Sequence, residues 1–226
     1  MKRDMHLNTH STIEFRIITF GSSSPSKFGK KCMKQVQFPI FETQRLIIDQ
    51  LTKQDRDEIY AIFSDPKVVE NYDVERFKDV TEADNLVEYF NARFDSNTGI
   101  RWAVRQKQTG KVIGSAGFTT WNEYDHSAML GYDLAYAYWN QGFATEMLQA
   151  LLDFAFSDAF PFYLNRIEAL ILPHNIASIK LVKKCGFIYE GEMRDKCFWN
   201  GGFHNMVLYS LLRKDAIALF QASSRS

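Results

Sequence analysis

The stretch Ala135–Phe156, AYAYWNQGFATEMLQALLDFAF, changes character at its single glycine. Before Gly142 an apolar, aromatic segment follows a strand-like run. After it, Ala144, Leu148, Leu151, Leu152 and Ala155 recur at helical spacing, which predicts a buried amphipathic helix ended by Pro161. The first turn of such a helix exposes backbone N–H groups without internal partners, and the aligned peptide dipoles place partial positive charge there. A phosphate fits that position. Without a Cβ, Gly142 lets the main chain approach an anion closely, Ala144 keeps the next inward position small, and Thr145 adds a hydroxyl. The same glycine equally suits a plain tight turn before a core helix, and this segment alone leaves both readings open.

Working outward, strand and helix patterns alternate from Phe38 onward. ETQRLIIDQL reads as a strand, and Thr52 followed by Asp55 predicts an N-terminal cap for the helix containing DEIYAIF. TEADNLVEYFNARF predicts a second helix, capped by Thr81, with Leu86, Tyr89, Phe90 and Phe94 on its apolar face. RWAVRQKQTGKVIGSAGFTTW reads as a β-hairpin turning at QTGK, and HSAMLGYDLA as the strand leading into Gly142. Beyond the central helix come a strand at NRIEALILP and a short helix at NIASIKLVKKCGF ended by Gly186. Strands around IYEGEM and HNMVLYSLL and a terminal helical turn at RKDAIALFQ complete the pattern.

The 226 residues suit one sizeable domain, with or without an appendage. Residues 1–36 differ from the rest: a β-branched run, IEFRIITF, precedes GSSSPSKFGKKCMKQ, whose composition is that of a linker. Either this is an added strand or arm, or Met33 is the start and 37–226 the domain. Basic and acidic side chains balance at 27 each, so no global basic field favours nucleic acid. The three cysteines lack CxxC spacing, which argues against a disulfide framework and a zinc site and fits the cytoplasm. No apolar run approaches the roughly 18 residues of a membrane span.

The segments ETQRLIIDQLTKQD, GSAGF, AMLGYDL, YWNQGFATE, NRIEALILPHNIASIKLVKKCGFIYEGEMRD and HNMVLYSLL together resemble the GNAT acetyltransferases, in their RimJ/RimL-like branch. Gly142 and Ala144 take the last two fixed positions of the [Q/R]-x-x-G-x-[G/A] motif, with Trp139 in place of Gln or Arg. The resemblance implies a mixed α/β fold: a central, mostly antiparallel twisted sheet, splayed at the cofactor strand, with flanking helices. It implies acetyl-CoA as cofactor and no metal. The expected reaction is direct transfer of an acetyl group to a primary amine in a ternary complex. A protein N-terminus, a polyamine and an aminoglycoside are the candidate acceptors, and a homodimer is expected by analogy.

By position, the resemblance assigns pantetheine contacts to the main chain of Tyr132 and Leu134 on the strand Met129–Leu134. It assigns the pyrophosphate to N–H groups of Gln141, Gly142, Phe143, Ala144 and Thr145. Asn175 matches a cofactor-holding Asn and also reads as a helix cap. The usual proton-donating Tyr is replaced by Val182, leaving Ser178 to protonate the thiolate. The usual basic Glu is replaced by Met129, with Asp133, Glu168 and His174 as substitutes. An α-amine, with a reference pKa of about 7.7–8.0, needs less help from a base than a lysine at about 10.4. A non-catalytic acyl-CoA-binding module is the alternative that Met129 and Val182 raise. Tyr72, Trp121, Phe198 and Trp199, near the loops WNEYDHS and CFWNGGFH, are candidate pocket walls or core covers. Asn205 stands where an Asp is expected.

Overall fold

Strands with alternating apolar residues must bury at least one face, and here both faces of one sheet are covered by helices. The computed structural model describes residues 37–72 and 74–223. The extension, its expected strand and Met33 therefore lie outside the described residues. In chain order the elements are β1 (Phe41–Glu42), β2 (Leu46–Gln50), α1 (Arg56–Phe63), α2 (Pro66–Val69), α3 (Val80–Asp95), β3 (Ile100–Gln106), β4 (Val112–Asn122) and β5 (Ser127–Leu134). They continue with α4 (Phe143–Ala155), β6 (Arg166–Ile171), α5 (Ile176–Lys184), β7 (Ile188–Trp199), β8 (Gly202–Leu212) and α6 (Arg213–Ser223). The eight strands form one sheet in the order β1-β2-β3-β4-β5-β6-β8-β7, antiparallel except between β5 and β6.

Alternation along β3 shows how the two cores divide. Trp102 and Val104 join the core beneath α4 and α5, whereas Ala103 joins a second core beneath α1 and α3. The first core is dense in aromatics: the Phe41 and Phe154 rings stack at 5.2 Å and Trp102 meets Phe154 edge-on at 5.6 Å.

Several local signals act as expected. Thr52 and Asp55 form a capping box at the 3-10 turn leading into α1. Gly186 takes the left-handed conformation at φ 90°. Its N–H reaches Lys183 O while that of Phe187 reaches Val182 O, so α5 ends in a Schellman motif. Others shift. The cap of α3 is Asp79, whose carboxylate accepts from Thr81 N at 2.8 Å, because an acceptor two residues upstream places the expected capping residue inside the helix. Tyr89 lies on the outer face of α3 beside Arg93, while Leu86, Phe90 and Phe94 pack on the cores as expected and Ala83 and Val87 are the fully buried members of the stripe. The expected strand ETQRLIIDQL breaks into β1 and β2 around a bend in which Thr43 Oγ1 accepts from Leu46 N. α4 ends at Ala155, well before Pro161, where Ser157 Oγ takes the Phe154 carbonyl. CFWNGGFH is a hairpin rather than a loop, with Asn200 and Gly201 at φ 49° and 74° forming a turn that suits tightly twisted strands.

Asn205 has its reason in that hairpin. Its Oδ1 accepts from Asp195 N at the bulge of β7, and its Nδ2 donates to Glu192 at 2.7 Å. An Asp could not donate to a glutamate, so the amide is what closes the bulge.

Candidate active site

β5 and β6 stay paired only from Ser127–Arg166 to Met129–Glu168. Beyond that point they diverge, as expected, and a cavity of about 520 Å³ opens between Leu130–Leu134 and Ala169–Leu172. The carbonyl of Met129 accepts from Thr119 Oγ1 and the N–H of Ala135 donates to the carbonyl of Ile113, both on β4, so the alternate residues of β5 face β6. Every second residue onward, Leu130, Tyr132 and Leu134, therefore turns its main-chain groups to the gap, where no strand satisfies them. The carbonyl of Leu134 is the exception: it accepts from Trp139 Nε1 at 2.7 Å. Trp139, in the place of Gln or Arg, thus ties the end of the strand to the turn before α4.

That turn carries Asn140 and Gly142 at φ 58° and 82°. Gly142 caps α4 without a side chain, leaving the N–H groups of its first turn for a ligand. Gly142, Ala144 and Thr145 line the cavity, whereas Gln141 and Phe143 do not, Phe143 being buried in the core. The Gly142→Ala exchange has room, since a Cβ would lie 3.4 Å from Arg45 Nη2, but the left-handed backbone costs about 1–2 kcal/mol. Thermal unfolding of that variant should show a Tm about 2–8 °C lower.

Opposite, the side chain of Asn175 caps α5, accepting from Ser178 N at 3.1 Å, and both residues line the cavity. The phenol of Tyr132, on the facing β5 wall, is buried without a hydrogen-bond partner. Burial pushes it up to about 12, the neighbouring Ser178 hydroxyl acting the other way. Val182 is fully buried in the core and does not line the cavity.

The three candidate bases fare differently. Asp133 lines the cavity but both its oxygens are engaged: Oδ1 accepts from Ser115 N at 3.0 Å, and Oδ2 from Arg101 Nη2 at 2.6 Å and Ser115 Oγ at 2.5 Å. Arg101 Nη2 also donates to the Tyr72 hydroxyl at 2.8 Å. Glu168 is off the cavity and paired with Arg166 at 2.6 Å. His174 is exposed and off the cavity. Of the four aromatic wall candidates, Tyr72 and Trp199 line the cavity. Trp121 covers the core edge against Phe160, and Phe198 is exposed against Phe203. Cys185 lies at the end of α5, its thiol pushed up to about 11 by burial. Cys197, which the strand pattern does not single out, lines the cavity beside Trp199.

The family model for the acetyltransferase (GNAT) domain matches residues 45–188, from β2 to the start of β7. The chain belongs to the GNAT acetyltransferases. It is an acetyl-CoA-dependent N-acetyltransferase. The N-acetyltransferase YoaA of Bacillus subtilis (strain 168), itself uncharacterized, is 34% identical over 176 residues, 78% of this chain and 98% of that protein. The acetyltransferase fold is shared with RimL, a ribosomal L7/L12 α-N-protein acetyltransferase solved with coenzyme A. It has a TM-score of 0.68 at 17% identity, covering 77% of this chain and 97% of that one. A spermidine N-acetyltransferase from Vibrio cholerae, solved with CoA and spermine, has a TM-score of 0.66 at 22% identity, covering 77% and 99%.

The residues present fit this cofactor. Unpaired main-chain groups on β5 suit an amide-bearing arm, the open first turn of α4 suits a diphosphate, and the unpartnered Tyr132 phenol is a buried polar group awaiting a ligand. Among the described residues, no helix is long and apolar enough to cross a membrane.

Proposed function

We propose that this acetyltransferase acts on the α-amine of a protein or peptide N-terminus, by direct transfer in a ternary complex. The observation that carries the reading is the charge of the cavity wall. Among its described lining residues the single carboxylate, Asp133, is neutralised by Arg101, while Lys180 and Lys184 add positive charge. A polyamine, which carries several positive charges, has no counter-ion there. The likeness to a spermidine N-acetyltransferase supports a small-amine acceptor, and these lysines oppose it.

Acetyl-CoA supplies an activated thioester carbonyl. Main-chain groups of Leu130 and Tyr132 would hold the pantetheine arm, and the N–H groups of Gly142, Ala144 and Thr145 would take the diphosphate. Asn175 keeps α5 in register at the wall of the cavity, and Ser178 Oγ holds the proton destined for the departing sulfur. Asp133, Glu168 and His174 are each spoken for or misplaced, so the acceptor arrives as the neutral amine. This is why an α-amine fits: near pH 8 about half of it is already uncharged.

Thiol release from acetyl-CoA, measured against N-terminal peptides, lysine peptides, spermidine and aminoglycosides, tests the reading. An N-terminal peptide should be preferred, with kcat/KM falling about tenfold per pH unit below the amine's own pKa. Intersecting initial-velocity lines are expected; parallel lines would point to an acetyl-enzyme on Cys197 instead. Preference for spermidine would overturn the acceptor assignment.

A further inference from the structure

Arg45 sits in the bend between β1 and β2 and reaches across to the turn before α4. Its main-chain N–H donates to Glu146 Oε1 at 2.8 Å and its Nε to Glu146 Oε2 at 2.6 Å. Thr43 Oγ1 adds a third bond to the same carboxylate at 2.5 Å. Partial burial works against the charge of Glu146, but these donors hold its carboxyl below the usual value. The guanidinium lies 4.1 Å from the centre of the Phe143 ring, and Nη1 donates to the carbonyl of Gln141 at 3.0 Å. Neither Arg45 nor Gln141 lines the cavity, whereas Gly142 does.

The carbonyl of Gln141 and the N–H of Gly142 belong to one trans peptide and therefore point in opposite directions. A hand on the carbonyl from behind decides where the N–H points. We propose that Arg45 fixes this peptide so that the Gly142 N–H faces the cavity, making Arg45 a positioning residue for the diphosphate of acetyl-CoA. The proposal rests on the placement of the diphosphate at the α4 turn. Arg45 has a second effect of the same sign. Glu146, off the cavity, puts a negative charge in the first turn of α4 close behind the diphosphate position, and the guanidinium cancels that charge. Flanking residues at φ 58° and 82° make the turn conformationally permissive on its own, so the orientation has to be imposed from outside.

The test compares acetyl-CoA with acetyl-pantetheine, which lacks the diphosphate. With Arg45→Ala, the KM for acetyl-CoA should rise about tenfold at nearly constant kcat, the loss expected for one bond to a charged group. The KM for acetyl-pantetheine should not move. Adding Glu146→Gln to Arg45→Ala should recover part of the acetyl-CoA affinity, because the stranded carboxylate is gone. Arg45→Lys, which keeps a cation against Glu146 and guards against loss of folding, should show a smaller loss, again confined to acetyl-CoA. Equal losses for both donors, or no loss for either, overturn the role of Arg45. A wild-type protein that binds acetyl-pantetheine as tightly as acetyl-CoA overturns the diphosphate placement itself, and calorimetry on the unmutated chain reads that separately.

Discussion

Exchanging Asp133 for alanine should lower the stability of this acetyltransferase by about 3–5 kcal/mol, the cost of stranding one member of a buried ion pair. For a chain of this size that is a fall in Tm of about 6–20 °C. Arg101 is only 3% exposed and its Nη1 already lacks a hydrogen-bond partner, so losing Asp133 leaves a buried cation with no counter-charge, held by Tyr72, Ser115 and the face of the Phe90 ring. The same exchange also removes the bond that Asp133 Oδ1 accepts from the main-chain N–H of Ser115 at 3.0 Å. Chemical denaturation of Asp133→Ala and of the paired variant Arg101→Met/Asp133→Leu separates charge from packing. The pair should be less destabilised than the single exchange, since an apolar pair leaves no buried charge behind. A loss below about 1 kcal/mol for Asp133→Ala, the level of an ordinary surface ion pair, would show that Arg101 finds water instead. Asp133→Asn keeps an acceptor for Ser115 and addresses chemistry: the pH profile of kcat/KM should keep its shape, whereas a catalytic base would take the acid limb with it.

The contrast between what was readable in the sequence and what was not follows the range of each interaction. The divergence of β5 is legible only through the family resemblance, whereas helices and their caps depend on residues within a turn of one another, and their patterns survive in the linear order. Even there, two acceptors in one stretch, Asp79 and Thr81, leave the choice of cap to geometry. The ties that shape the cavity are long-range. Arg45 and Glu146 are 101 residues apart, and Arg101 reaches Asp133 from two strands away, across β4. Strand alternation places Asp133 on the face of Met129 correctly, but nothing in the alternation says that an arginine from β3 will occupy its carboxylate. The route of that arginine has a trace in the sequence all the same. Arg101, Gly117 and Gly131 stand side by side in register, and a Cβ at Gly131 would lie 2.7 Å from Arg101 Nη1. Gly131 of LGY thus leaves the space that the guanidinium fills, and Gly117 of GSAGF lets the main chain of Ile100 and Arg101 come close, reasons that become visible only once the registers are known. Candidate bases fail for the same cause: a carboxylate is recognisable in the sequence, its commitment to a partner is not.

Ser178→Ala should reduce kcat about 100-fold, the lower end of what a positioned acid contributes, with the KM for acetyl-CoA nearly unchanged. The main chain of residue 178 does the structural work, since its N–H, which alanine retains, is what Asn175 caps. Only the hydroxyl is lost, so folding and cofactor binding are expected to survive and single-turnover kinetics will read the proton transfer alone. Tyr132 supplies the competing outcome. Its phenol, raised to about 12, stays protonated at neutral pH and is an unused donor on the facing wall. If Tyr132→Phe costs the 100-fold and Ser178→Ala costs less than threefold, the proton comes from β5 rather than α5, and the serine only offers its N–H to the Asn175 cap. If both variants lose activity and the double variant loses little beyond either, the two hydroxyls act as one unit, as coupled catalytic groups do. With Val182 buried in the core, the two variants compare the hydroxyls that face each other across the gap the diverging strands open.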